Sequence, residues 1–268
     1  ELDGRLVRDV LGRELCFTEA DDPTVWHRDP RELADPDPVP AGHVRDADGD
    51  ERVWTLPDPD QTTDRETAIA DVRSALEETL AAVSTDNMAI AFSGGIDSAL
   101  LAARLDAPLY VGGFPDSHDV EAARSAASAL GCEVCVVEFD HADLERTVPT
   151  LVDAIGRTDA MAVQIALPLF LVAERVAADG FDRLALGQGA DELFGGYAKV
   201  ARAPDDPRVE ADTVRGARDE MLSTLPDQLE RDLLAMRGAG VEPVAPLLHD
   251  RVVRVALSLP GDLLVTAR

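Results

Sequence analysis

Two short stretches carry residue types whose spacing could do chemistry. The first is Ala89-Ile90-Ala91-Phe92-Ser93-Gly94-Gly95-Ile96-Asp97-Ser98, followed at once by Ala99 to Leu105. An apolar run stops at Ser-Gly-Gly and a run with helical spacing begins at Asp-Ser, so the pattern reads strand, tight turn, helix. Adjacent glycines leave room for a bulky anion against the main chain, and free N–H groups at a helix start favour negative charge. The stretch therefore reads as a phosphate cradle. It lacks the spacing Gly-x-x-x-x-Gly-Lys-Ser/Thr, and no lysine is near it. The second stretch is Leu186-Gly187-Gln188-Gly189-Ala190-Asp191-Glu192-Leu193-Phe194-Gly195-Gly196-Tyr197. Its glycines again free the backbone, and the adjacent acids Asp191 and Glu192 suit a divalent metal held against phosphate oxygens. A plain Gly-rich turn and ordinary helix capping are the alternatives for each stretch alone. Together they favour phosphate and metal.

Such loops need rigid elements behind them. Asn87 to Phe92, Leu109 to Gly113, Glu133 to Phe139 and Asp182 to Leu186 read as strands, and helical periodicity covers roughly 64–84, 117–131, 142–155 and 164–179. This alternation predicts an α/β fold, a parallel twisted sheet with helices on both faces and ligands beyond the carboxyl ends of the strands. Both motifs sit at such ends. Past Arg202 the pattern predicts helices over 208–225 and 227–237, a Gly- and Pro-rich turn from Gly238 to Pro246, and a helix from His249 to Leu259. Residues 1–63 differ, being rich in Asp and Pro with brief apolar patches. They predict a small segment of short antiparallel strands and loops that docks on the unit formed by 64–268.

Charge narrows the partners. The 268 residues hold 52 acidic and 25 basic side chains, a net charge of −27, and Lys199 is the only lysine. Acid spread along the chain with arginine in place of lysine looks like adaptation to a high-salt cytoplasm, of the kind halophilic archaea have. Such a surface repels nucleic acid, so RNA and DNA are not expected partners. Cys132-Glu-Val-Cys135 has C-x-x-C spacing but falls in a strand, where residues three apart face opposite sides, so two small core residues are expected. No stretch is expected to approach the ~20 apolar residues of a membrane helix, and no signal peptide opens the chain, which predicts a cytoplasmic protein without membrane contact.

Ser-Gly-Gly-Ile-Asp-Ser resembles the loop of the ATP pyrophosphatases, which form adenylates and release pyrophosphate. With Gly-x-Gly-Ala-Asp-Glu-Leu-Phe-Gly-Gly-Tyr, the resemblance narrows to the synthetase domain of the asparagine synthetases and their relatives, from about Asp64 to Leu264. The strand end Val111-Gly112-Gly113 and Gly240-Val241-Glu242 add to it. Leu11 to Phe17 and Val39 to His43 resemble the last strands of that family's glutaminase domain, whose cysteine nucleophile has no counterpart in these residues. Glutamine hydrolysis by this stretch is therefore not expected. The resemblance implies asparagine biosynthesis by a ligase that uses ATP and Mg2+. A substrate carboxylate, aspartate in the family's name reaction, attacks ATP, pyrophosphate leaves, and ammonia or a partner's ammonia displaces AMP. Carried over, Ser93, Gly94, Gly95, Asp97 and Ser98 would hold the pyrophosphate end of ATP, with Asp97 and Asp191 on magnesium. Phe92, Val111 and the backbone near Leu186 and Gly187 would form the adenine slot. Lys199 and Arg202 are candidate cations for the phosphates, and an oligomer is compatible with the pattern.

Four departures fall on the acyl-acceptor and amine side. Gln188 stands where asparagine synthetases have a glutamate associated with proton transfer, and glutamine cannot take a proton. Val244 replaces an arginine, the run Val163 to Pro168 is mostly apolar where relatives are polar, and the sequence stops at Arg268 where relatives continue into a lysine-bearing segment. The nucleotide side is intact. Two other readings stay open: an ATP-binding, catalytically reduced regulatory relative, and a tRNA-modifying enzyme of the same superfamily.

Overall fold

The computed structural model describes residues 4–203 and 205–265. The N-terminal segment holds short strands β1 (Leu6–Val7), β2 (Phe17–Glu19), β3 (Trp26–His27), β4 (Pro36–Pro38), β5 (His43–Asp46) and β6 (Gly49–Arg52). They pair antiparallel as two three-stranded sheets, β1-β5-β6 and β3-β2-β4. Sheets this small cannot bury a core alone. Leu11, Leu15 and Phe17 instead join the core of the α/β unit on which the segment docks, packing in one cluster with Leu225 and Leu229. Arg13 ties the segment down by donating to the Leu248 carbonyl (2.9 Å) and to Asp250 (2.7 Å).

The main sheet is built from β7 (Met88–Ala91), β8 (Leu109–Gly113), β9 (Val134–Glu138), β10 (Arg183–Ala185) and β11 (Glu242–Val244). Their spatial order is β11-β10-β7-β8-β9, every pair parallel. The expected parallel sheet is thus present with one more strand. Gly238 to Pro246 is not merely a turn, because β11 lies inside it. Three residues with a proline at the centre give no strand signal in sequence, but on the sheet edge that proline leaves β10 its hydrogen bonds.

Helices cover both faces. α1 (Arg65–Ala81), α2 (Ile96–Ala102) and α3 (His118–Leu130) follow the order of the chain, then α4 (His141–Ile155), α5 (Ala160–Ala178), α6 (Ala190–Phe194), α7 (Ala198–Ala201), α8 (Val214–Gly238), α9 (Asp250–Leu257) and α10 (Gly261–Leu264). Their ends follow local chemistry. Asp64 caps α1 by accepting from Thr67 N, Ser117 caps α3, and Asp159 caps α5 by accepting from Ala162 N at 2.8 Å. Cys132 packs on one face of the sheet with Ile90 and Leu101, Cys135 on the other with Phe170 and Leu171. The two cysteines are free and do not form a pair.

Two helical expectations need correction. Pro226 does not divide the C-terminal region into two helices. α8 runs 25 residues through it, because Leu222, Leu225, Leu229 and Leu233 form one buried stripe whose packing offsets the ~3 kcal/mol cost of a helical proline. The expectation that no stretch approaches a membrane span also fails. α5 is 19 residues long and apolar enough by length and composition to cross a bilayer. Here it is a core helix, with Ala166, Phe170, Ala173 and Val176 fully buried and contacts to α4, α8 and β8.

Candidate active site

Chain order and strand order diverge at one place. From β7 the chain steps outward to β8 and β9, and only then returns to place β10 on the other side of β7. The gap beyond the carboxyl ends of β7 and β10 is the topological switch point, where open parallel sheets bind ligands. Both motif loops leave the sheet there.

The first loop folds on itself. Gly95 N donates to Ser93 Oγ at 3.3 Å, Ser98 Oγ donates to the Gly95 carbonyl at 3.1 Å, and the two hydroxyls lie 3.3 Å apart. Gly94 takes φ +77°, and a Cβ there would lie 2.8 Å from the Ala122 carbonyl oxygen. No other residue fits that conformation and that space. The second loop crosses directly above α2. A Cβ on Gly187 would sit 2.7 Å from Asp97 Cβ and 3.2 Å from Ser98 N. The two loops are therefore in contact through Gly187 and Asp97.

Around this contact lies a cavity of about 320 Å³, lined by Ala91, Ser93, Asp97 and Ser98 from one loop and Leu186 to Gly189, Asp191, Glu192 and Tyr197 from the other. Leu169 of α5 and Gln228 and Asp232 of α8 complete it. Burial, and then the charges of Asp191 and Glu192, push the Asp97 carboxyl above its ordinary value. Tyr197 donates to Glu192 Oε1 at 2.5 Å, and burial followed by that bond raises its phenol too. Gln188 Nε2 donates to Asp232 Oδ2 at 2.8 Å, while Arg231 donates to both oxygens of Asp232.

Among the described residues no three His, Cys, Asp or Glu side chains form a ready metal cage. The donor set still fits magnesium. That ion binds through one or two carboxylates together with substrate phosphates, and Asp191 lies near enough to Asp97 that its charge adds to burial in raising the Asp97 carboxyl.

Ser93, Asp97, Ser98, Leu186, Gly187, Gln188 and Asp191 all line the cavity, with Gly94 and Gly95 in the loop beside it. Phe92 and Val111 do not reach it. Their side chains are buried with Ile90 and Leu101. Lys199 and Arg202 also lie off the cavity. Lys199 Nζ is 5.7 Å from the ring centre of Tyr197, which does line it; Arg202 lies near Asp206, whose carboxyl is held low chiefly by its hydrogen bonds from Arg208, with the charge of Arg202 a minor addition. The sequence reading passed over Leu169, Gln228 and Asp232. The last gave no clear signal: Glu230-Arg231-Asp232 lies between Leu229 and Leu233 as three consecutive charges, a pattern that reads as a solvated face.

Residues 71–222 match the family model described as asparagine synthase, more than half of the chain. With the fold and the paired loops in place, the chain belongs to the asparagine synthase family. It is 33% identical over 179 residues to a Methanocaldococcus jannaschii protein that bears the name asparagine synthetase (glutamine-hydrolyzing) 1 provisionally, covering 65% of this chain and 33% of that one. It is 26% identical over 227 residues to asparagine synthetase B (glutamine-hydrolyzing) of Escherichia coli K12, covering 76% and 40%. A third relative, asparagine synthetase (glutamine-hydrolyzing) 1 of Saccharomyces cerevisiae, is 26% identical over 151 residues, 55% of this chain and 25% of that one. The chain thus matches well under half the length of these relatives.

Proposed function

We propose that the cavity activates a carboxylate with ATP for amide formation. A carboxylate oxygen attacks the α-phosphorus, the bond to pyrophosphate breaks, and an acyl-adenylate forms. Ammonia, free or delivered by a partner, then attacks the acyl carbon, AMP leaves, and the nitrogen gives up a proton. Aspartate is the carboxylate to test first. The observation that carries this reading is the contact of two glycine loops at the switch point, with Asp97 and Asp191 within electrostatic reach of each other.

Each group has a role set by its placement. Ser93, Ser98 and the loop N–H groups bind pyrophosphate oxygens and need no rearrangement as charge grows on them. Asp97 and Asp191 would hold magnesium, which supplies charge neutralisation for the leaving pyrophosphate when bound. The backbone of Leu186 and Gly187 faces the nucleotide, and Leu169 with the α8 residues bounds the acyl side. Residues 64–268 carry the whole of this site in the proposal, with 1–63 as a docked segment.

The test is pyrophosphate release from ATP in molar KCl with magnesium, aspartate and ammonium, each omitted in turn, for wild type and Asp97→Ala. Release that requires aspartate and disappears in Asp97→Ala is the expected result. Tight ATP binding without carboxylate-dependent release, across a panel of carboxylates, would sink the reading and leave a nucleotide-binding relative without catalysis.

A further inference from the structure

The cavity holds carboxylates of two kinds. Asp97, Asp191 and Glu192 belong to the loops, raise the proton affinity of Asp97 by burial and mutual charge, and suit a divalent ion. Asp232 belongs to α8, and its environment is different. It is 9% exposed, and it accepts from Arg231 Nε at 2.7 Å on Oδ1, from Arg231 Nη2 at 3.0 Å on Oδ2, and from Gln188 Nε2 at 2.8 Å on Oδ2. Arg231 balances its charge, so it has no need of a metal. An ionised carboxylate offers about four acceptor positions. Three are taken, and the open one is on Oδ1.

Gln188 is held at a cost. Asp232 can only accept, so the amide must turn its NH2 end toward it. Its Oε1 is then buried with no hydrogen-bond partner among the described residues. A buried carbonyl left unpaired is destabilising, so the hydrogen bond that Gln188 makes to Asp232 is kept against that cost. Gln188 and Arg231 thus hold Asp232 at the cavity wall.

We propose that Asp232 is the amine-binding group of the cavity: Oδ1 accepts a hydrogen bond from an ammonium or amine N–H, with Gln188 and Arg231 as positioning residues. The inference rests on the reading of the cavity as a carboxylate-activation site and names what the α8 wall of that site recognises. The N–H has two possible sources, the α-ammonium of an amino-acid substrate or the incoming ammonia, and one experiment separates them.

Calorimetric binding of aspartate and of succinate, the same dicarboxylate without the amine, is measured with a non-hydrolysable ATP analogue present. The proteins compared are wild type, Asp232→Asn and Gln188→Met. If Asp232 holds the α-ammonium, wild type prefers aspartate by ~10- to 100-fold, as befits one hydrogen bond to a charged group. Asp232→Asn then brings the two ligands together without changing affinity for the analogue. If it holds ammonia, the preference stays and the ammonium concentration for half-maximal AMP formation rises ~10- to 100-fold. Gln188→Met keeps the carboxylate and frees it to move, so it shifts the same quantity less, with a melting temperature close to wild type because loss of the unpaired oxygen offsets loss of the hydrogen bond to Asp232. That variant also carries the test if Asp232→Asn fails to fold. A folded Asp232→Asn with both quantities unchanged, or a wild type that shows neither amine preference nor ammonium saturation, overturns the inference. An Asp232-dependent aspartate preference in a protein that releases no pyrophosphate would uphold it while the reading of the activity falls.

Discussion

A single methyl group at position 187 tests how the two loops are joined. Gly187 does not need a positive φ, so alanine is conformationally allowed there and the effect is purely one of space. Its Cβ would lie 2.7 Å from Asp97 Cβ, where ordinary contact begins at 3.4 Å, so the loops must part by about 0.7 Å. Neither neighbour is a flexible side-chain end: the approach is to a Cβ and to the backbone of Asp97 and Ser98. Overpacking of this kind costs ~1–3 kcal/mol. For a chain of this size that is a fall in melting temperature of about 2–10 °C. The larger effect falls on chemistry, since a displacement near 1 Å between reacting groups costs on the order of 10²-fold in rate. Gly187→Ala should therefore remain folded, lose most of its pyrophosphate release, and gain less ATP affinity from magnesium than wild type does. Unaltered release together with an unaltered melting temperature would refute the claim that these loops touch.

Other outcomes rest on the same geometry. Asp159→Ala removes the cap of α5 and should destabilise the fold by ~0.5–2 kcal/mol in denaturant titration, while Asp159→Asn or Asp159→Ser should recover most of it. Hydrogen bonding from Arg13 holds the Asp250 carboxyl below its ordinary value of 3.8. The stabilisation it lends is present above the ordinary value and is lost as pH falls through the lower folded value. Arg13→Ala should accordingly cost a constant amount at pH 5–7 and progressively less below about pH 4, read as the difference between two melting curves. Net charge −27 opposes compaction, and raising KCl from 0.1 to 1 M shortens the screening length from about 10 to about 3 Å. The melting temperature should rise over that range; a flat or falling curve would contradict the assignment of the acid excess to a salt-adapted surface.

The parts of the site legible in sequence were those written in backbone chemistry. Gly94 marks a place where a side chain cannot fit and Gly187 one where it would push the loops apart, and such constraints appear as residue identity. Asp191 and Asp97 were legible because each sits within a turn of a glycine that frees its loop. Phe92 and Val111 were not, since an apolar residue at a strand end does not say whether it faces a ligand or the core, and here both face the core with Ile90 and Leu101. Asp232 was hidden by its neighbours. Three consecutive charged residues look like a solvated face, and only the rotation of α8 against α4 and α5 decides which of them turns to the cavity. β11 was hidden for the opposite reason, being formed by partners in β10 and not by its own propensity.

The edge made by β11 is poorly suited to pairing with a strand from a second copy. Glu242 N bonds to the Asp182 carbonyl on the β10 side, so alternation along the strand turns position 243 outward, and proline there offers no donor to an incoming strand. At low salt a chain of this charge needs no such guard, because like-charged copies do not approach. In molar salt that repulsion is confined to a few ångströms, yet a missing N–H is missing at any ionic strength. A proline on a sheet edge is the kind of protection against edge-to-edge aggregation that a concentrated electrolyte cannot screen away.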